Sequence, residues 1–154
     1  MNRKIKALVR TSRTRFAMFG LLTVTIGLAS AVAAHAQSTS TFGGSLHVVR
    51  GYQATSSTTS VLLMTIPNLG KVEVDCLGGM SRIAFYPAVS GSLWFTHEGG
   101  TAYASGSSGT QLSNQSTDDV IVAQFATATQ TATMVISGHP GATCVYAGQA
   151  TVQP

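Results

Sequence analysis

The sequence predicts an all-β protein, an antiparallel β-sandwich of about eight strands closed by one disulfide. Three observations predict it. Short segments rich in β-branched and aromatic residues recur between clusters of Gly, Pro, Asn and Ser, and no stretch has a helical period. Residues 71–76 alternate apolar with charged side chains, as a half-buried strand does. The chain has only two cysteines, Cys76 and Cys144.

Residues 1–36 have the pattern of a secretory signal peptide. A basic segment without acids, residues 1–15, precedes an uncharged run, residues 16–34, and the small residues Ala34 and Ala36 close it. We expect cleavage after Ala36, a secreted or cell-envelope location, and no membrane attachment after cleavage. The alternative is a retained anchor, because spanning needs about 20 apolar residues. Glycines and threonines dilute the run, which favours cleavage.

The charge of the predicted mature chain excludes one class of partner. Most of the nine Lys and Arg residues lie in the signal, which leaves Arg50, Lys71 and Arg82 against five acidic residues. Nucleic-acid binding requires a basic stripe that neutralises phosphates. We therefore expect no nucleic-acid partner and no binding to anionic membranes.

The remaining chain suits a flexible N-terminal segment and one domain. Residues 37–44 are polar and glycine-ended, so we expect them to be poorly ordered, and residues 45–154 form the sandwich. Cys76 and Cys144 should bond in an oxidising compartment, and a loop of this length contributes about 4 kcal/mol to stability. A redox pair would need C-x-x-C, and a zinc site would need more ligands.

Turn residues divide the domain into strands and hairpins. We expect a first strand at residues 45–53, with a bulge at Gly51, and a closing strand at residues 143–152. Three hairpins are predicted, joining residues 60–66 to 71–76, residues 82–86 to 93–97, and residues 120–126 to 132–137. Residues 99–117 are predicted as the longest loop, because they are rich in Gly, Ser, Asn and Gln.

The sandwich topology stays open at this stage. A tryptophan, Trp94, follows the first cysteine as in immunoglobulin domains, but Ala142 stands two residues before Cys144, where those domains have a tyrosine. The sequence is compatible with an immunoglobulin-like sandwich and with another Greek key or a jelly roll.

Two stretches carry a family resemblance. The stretch from Ile66 to Val72 followed by Cys76, and the stretch from Cys144 to Ala150, resemble short secreted proteins of unassigned function from high-GC Gram-positive bacteria. The resemblance implies an extracytoplasmic compartment and brings no activity with it.

Motifs of catalysis, cofactor binding and metal binding are missing from the sequence. G-x-S-x-G and a phosphate-binding loop are absent, and His97-Glu98 lacks the second histidine of a zinc-protease helix. The spacing of His47, His97 and His139 predicts no metal site. We therefore assign no catalytic residue, cofactor or metal.

Aromatic side chains are the best candidates for binding. Alternation places Leu93 and Phe95 in the core and turns Trp94 outward, and in the preceding strand it turns Tyr86 outward. The predicted hairpin would bring Trp94 and Tyr86 together as a platform for a sugar or a protein. The competing interpretation is that other segments cover both rings, since tryptophan is mostly buried.

The sequence favours a secreted, non-enzymatic β-sandwich that acts in surface recognition or in the cell envelope. Its expected partner is a carbohydrate or another envelope protein. The alternative is a small secreted hydrolase whose site has no sequence motif. A cleft where His and acid side chains converge would indicate the hydrolase, and a flat aromatic patch would indicate the binding module.

Overall fold

A computed structural model describes residues 34–97 and 100–154, and every regular element in these ranges is a β-strand. The predicted signal peptide lies almost wholly outside the described residues. The strands are β1 (Ala34–Phe42), β2 (Leu46–Thr55), β3 (Val61–Ile66), β4 (Gly70–Leu77), β5 (Met80–Pro87), β6 (Gly91–His97), β7 (Gly100–Gly106), β8 (Thr110–Gln115), β9 (Asp119–Ala126), β10 (Thr131–His139) and β11 (Cys144–Gln153).

Two antiparallel sheets pack face to face and confirm the predicted sandwich. The large sheet has seven strands in the order β1-β2-β11-β10-β9-β6-β7, and the small sheet has four in the order β3-β4-β5-β8. Three more strands are present than the sequence led us to expect, because β1, β7 and β8 consist mostly of small and polar residues. Such strands carry a weak apolar alternation.

Alternating side chains from the two inner faces form one core. Phe85 of β5 and Phe125 of β9 meet across the sandwich with ring centroids 5.0 Å apart. The largest fully buried side chains are Tyr146, Phe85, Phe125, Leu63, Met64, Ile66, Leu69, Ile83, Leu112, Ile121, Met134 and Ile136. Burying one large apolar side chain stabilises the fold by about 1.5 to 3 kcal/mol.

The predicted disulfide is present and joins the two sheets. Cys76 on β4 and Cys144 on β11 have Cα atoms 5.6 Å apart and are 68 positions apart in sequence. Two predicted hairpins are also confirmed, β3 with β4 and β9 with β10.

The predicted pairing of residues 82–86 with residues 93–97 is wrong. β5 pairs with β4 and β8 in the small sheet, whereas β6 pairs with β7 and β9 in the large sheet. The connection after Pro87 therefore crosses between sheets. Gly91 makes the entry into the large sheet, because a Cβ there would lie 2.5 Å from the Ala126 carbonyl oxygen.

Two polar segments predicted as irregular are strands. Residues 37–42, expected to be flexible, belong to β1, which pairs with β2 in register from Ala34 to Phe42. The Gln37 side chain accepts a hydrogen bond from the Thr65 amide of the small sheet at 2.9 Å. The predicted long loop at residues 99–117 contains β7 and β8. Backbone pairing at a sheet edge orders these segments without apolar alternation.

Gly51 is not the site of a bulge. The pairing of β2 with β11 continues through Gly51 and Gly148 without a shift. A Cβ at Gly51 would lie 2.3 Å from the Leu63 carbonyl oxygen, so glycine is needed where β2 approaches the small sheet.

Candidate functional site

Exposed large apolar side chains collect on one surface, the outer face of the large sheet. Alternation points these side chains away from the core, and seven strands at a spacing of about 4.8 Å make a wide surface. Its exposed large members are Phe42, Tyr52, Trp94, Tyr103, Val120, Val122 and Val135. Exposed apolar side chains collected on one face indicate a candidate binding surface.

Trp94 and Tyr103 form an aromatic pair on this face. They are direct partners across β6 and β7, with ring centroids 5.4 Å apart and planes inclined at 51°. Trp94 is 42% exposed and Tyr103 is 57% exposed. The Tyr103 hydroxyl lies 3.3 Å from the Ser92 hydroxyl, which helps to fix the ring. The pair offers two ordered apolar rings to solvent.

Hydroxyl and amide side chains border the aromatic pair. Gln124 on β9 is the direct neighbour of Trp94, and Thr133 on β10 is the direct neighbour of Gln124. A shallow depression of about 300 Å³ runs along these strands and is lined by Trp94, Phe95, Thr96, Thr101, Val122, Ala123, Gln124 and Thr133. Every one of these described lining residues is uncharged.

The outer face of the small sheet differs, because charged side chains dominate it. A groove of about 290 Å³ runs past Glu73, Asp75, Arg82 and Tyr86. Arg82 donates to Asp75 at 2.5 Å, and the pair raises the pKa of the guanidinium. Lys71 contacts Glu73 at 2.5 Å, and that hydrogen bond raises the pKa of the Lys71 ammonium.

These charges satisfy one another. Lys71 also lies 5.6 Å from the Tyr86 ring centroid, in cation–π range. Asp75 is buried and Arg82 is its cationic partner, so the pair joins β4 to β5. Each of the four charged groups is neutralised by a neighbour, which points to a structural role.

The two predicted binding residues are both exposed, but they do not form one platform. Trp94 lies in the large sheet and Tyr86, 37% exposed, lies in the small sheet. The partner of Trp94 is Tyr103, which sequence reasoning missed because β7 was taken as loop. The signal for Tyr103 is the alternation of Thr101, Tyr103 and Ser105 with alanines.

Among the described residues, reactive side chains occur in isolated pairs. In the described ranges no group of three or more His, Cys, Asp or Glu side chains could hold a metal ion. His139 pairs with Asp118 at 2.5 Å, with both side chains more than two-thirds exposed, where water screens the pair. Ser113 donates to Asp119 in the interior, away from solvent. In each pair the two side chains bond to each other. None of these four residues lines either of the two depressions described above.

In the part of the chain that the structure describes, a helix long and apolar enough to cross a membrane is not found. Comparisons of the chain with protein-family models, with curated proteins and with solved structures give no match.

Proposed function

We propose that the protein is a secreted, non-enzymatic binding module that recognises a neutral polysaccharide through Trp94 and Tyr103. The observation that carries the proposal is an exposed, ordered aromatic pair on the outer face of the large sheet, bordered by uncharged polar side chains. The predicted signal peptide of residues 1–36 and the disulfide between Cys76 and Cys144 support the extracytoplasmic location.

A sugar chain fits this chemistry. The C–H face of a pyranose ring is apolar and packs on an aromatic ring, while its hydroxyls need donors and acceptors at the edge of the ring. Trp94 and Tyr103 provide the stacking surface, and Gln124, Thr96 and Thr133 provide amide and hydroxyl groups. An acidic or basic ligand would call for an opposite charge, and the lining residues carry none.

A protein partner fits the same region less well. Interface centres are large apolar patches with anchors that enter pockets. Beside the aromatic pair the direct neighbours Gln124 and Thr133 are polar and interrupt the apolar surface. Stacking on extended rings needs no deep pocket, which agrees with the shallow depression here.

The test uses the fluorescence of Trp94, the single tryptophan of the chain. The exported protein is titrated with soluble neutral glucans, xylans and mannans, and separately with anionic polysaccharides. We expect saturable change in emission with a neutral polymer, because stacking changes the surroundings of the indole.

Substitutions assign the binding to the pair. Calorimetry with the polymer that binds should show that Trp94→Ala weakens binding by about 2 kcal/mol, the scale of a hot spot. Tyr103→Ala should weaken binding as well. Tyr86→Ala is the matched control, an exposed tyrosine on the other sheet, and it should bind like the wild type. Equal loss in Tyr86→Ala, or preference for a charged polymer, would contradict the proposal.

A further inference from the structure

The edges of the two sheets differ in how they are protected. In the small sheet, both edge strands carry an extra residue, Leu63 in β3 and Leu112 in β8, where the register shifts. In the large sheet, β1 and β7 pair with their neighbours without a shift. Bulges, charges and prolines are the devices that prevent a strand edge from pairing with another chain. The large sheet uses no bulge at its edges.

The two edges differ in their contacts, because Gln37 of β1 is hydrogen-bonded to Thr65 of the small sheet and the described residues of β7 make no such bond. β7 reads GTAYASG, with no charge and no proline, and six of its seven residues are exposed. In the described ranges β6 covers one side of β7, while the other side presents unpaired backbone N–H and C=O groups. The described residues 100–117, which include β7, contain no Asp, Glu, Lys or Arg. A second copy approaching this edge would meet no like charge among these residues.

The sequence of β7 is close to a palindrome. Tyr103 is its centre, the alanines Ala102 and Ala104 flank it, the hydroxyl residues Thr101 and Ser105 come next, and a glycine ends each side. An antiparallel pair of identical strands centred on Tyr103 therefore places each residue opposite one of its own kind. Tyrosine pairs and Thr–Ser pairs directly across two strands are stabilising.

We infer that two copies of the protein associate through β7 in a two-fold symmetric, antiparallel pairing centred on Tyr103. Two-fold closure is the commonest symmetry of homo-oligomers, and it uses the same edge of both copies. The pairing joins two seven-stranded sheets into one continuous sheet. Seven residues bury little area, so we expect a dimer that dissociates on dilution.

The dimer gives the binding face a longer platform, a consequence that rests on the proposed function. The rings of Trp94 and Tyr103 would be followed by those of Tyr103 and Trp94 of the second copy. The outermost strands of this aromatic strip are separated by three strand spacings, about 14 Å. Four rings in line suit an extended polymer, and two linked sites raise the affinity through effective concentration.

Sedimentation velocity of the exported protein without ligand tests the pairing separately from sugar binding. The wild type should shift from monomer to dimer as concentration rises. The double variant Thr101→Lys with Ser105→Lys places lysine opposite lysine twice across the two-fold axis. At low salt the dissociation constant should rise by at least about tenfold, and added salt should reduce the effect.

A charge exchange tests the register. Thr101→Glu with Ser105→Lys puts each glutamate opposite a lysine, so the dimer should return. The matched control is Ser38→Lys with Ser40→Lys, two lysines on the outer face of β1 at the other edge, which should leave the dimer intact. A wild type that stays monomeric at all concentrations, a dimer indifferent to the β7 lysines, or one broken by the β1 lysines would overturn the inference.

Discussion

The two outer faces of the sandwich share one core but differ in chemistry. The small sheet exposes Lys71, Glu73 and Arg82, and each of these pairs with an opposite charge. Among the described residues of the large-sheet strands, Arg50 is the charged side chain on the outer face, and its partner is the neutral Gln149. The charges on the small sheet are paired with each other, whereas the outer face of the large sheet is largely neutral in the described strands.

The same difference extends into the interior. Asp75 holds Arg82 on the outer side of the small sheet, and the backbone carbonyl of Asp75 accepts a hydrogen bond from Tyr146 of the large sheet at 2.5 Å. A change on the charged face therefore reaches the contact between the sheets. Within the described part of the chain the aromatic pair has no comparable connection, since the Tyr103 hydroxyl contacts the neighbouring Ser92 of the same sheet. The charged face therefore contributes to stability, and the proposed recognition site lies on the opposite face.

The largest expected difference in the free energy of unfolding is between substitution of a buried aromatic residue and substitution of an exposed one. Phe125→Ala should lower the free energy of unfolding by about 3 to 5 kcal/mol, because Phe125 is 1% exposed and packs on Phe85. Trp94→Ala should lower it by about 1 kcal/mol, because Trp94 is already part exposed. Urea unfolding followed by far-UV circular dichroism measures both.

Tyr103→Ala is the second exposed member of that series and should behave like Trp94→Ala. A loss from Trp94→Ala as large as that from Phe125→Ala would mean that the outer face is part of the stabilising core. The assignment of recognition to the large sheet would then fail.

Substitution of one arginine on each face should also change the free energy of unfolding unequally, with smaller effects than those of the aromatic substitutions. Arg82→Met leaves Asp75 buried without its cation and should lower the free energy of unfolding by about 2 kcal/mol, less than for a fully buried pair because Arg82 is partly exposed. Arg50→Met removes an exposed contact with Gln149 and should change the free energy of unfolding by less than about 0.5 kcal/mol. Equal losses in the two variants, measured by urea unfolding, would contradict the contrast between the faces.

Alternation in the sequence was sufficient to predict a strand and the direction of its side chains wherever one face of the strand is strongly apolar. Residues 71–76 show the pattern, and β4 lies where it was expected, with Val72 and Val74 buried and Glu73 outward. The disulfide followed from the number of cysteines. The outward direction of Trp94 followed from its buried neighbour Leu93 and half-buried neighbour Phe95. These features depend on local period and composition, which the sequence contains.

Local period and composition could not predict which strands pair with each other. Residues 88–90 suit a hairpin turn, yet the chain crosses to the other sheet, because Gly91 fits against Phe125, a contact that is remote in sequence. Tyr103 was not identified as the partner of Trp94, because the alternation in β7 is too weakly apolar to mark it as a strand. The sequence indicated one ring of the candidate pair, and finding the second ring required the sheet order.

The smallest expected effect concerns Tyr146, which joins the neutral sheet to the charged one. Burial raises the pKa of the Tyr146 phenol, so the folded state holds the proton more tightly than the unfolded chain does. Below the ordinary tyrosine pKa of about 10 both states are protonated and the hydrogen bond to Asp75 is complete. As pH rises above that value, the unfolded chain ionises first and stability falls until the folded pKa is passed.

Tyr146→Phe should therefore act in two ways. At neutral pH it should lower the free energy of unfolding by about 1 kcal/mol, because the Asp75 carbonyl loses its donor. Above about pH 10 the variant should lose stability less steeply than the wild type, because a group that ionises in the unfolded state has been removed. Tyr52→Phe, on the outer face of the large sheet, is the control and should change the neutral value by less than about 0.5 kcal/mol. Urea unfolding at successive pH values gives both quantities. Parallel pH profiles for the wild type and Tyr146→Phe would show that ionisation of Tyr146 does not contribute to the pH dependence of stability.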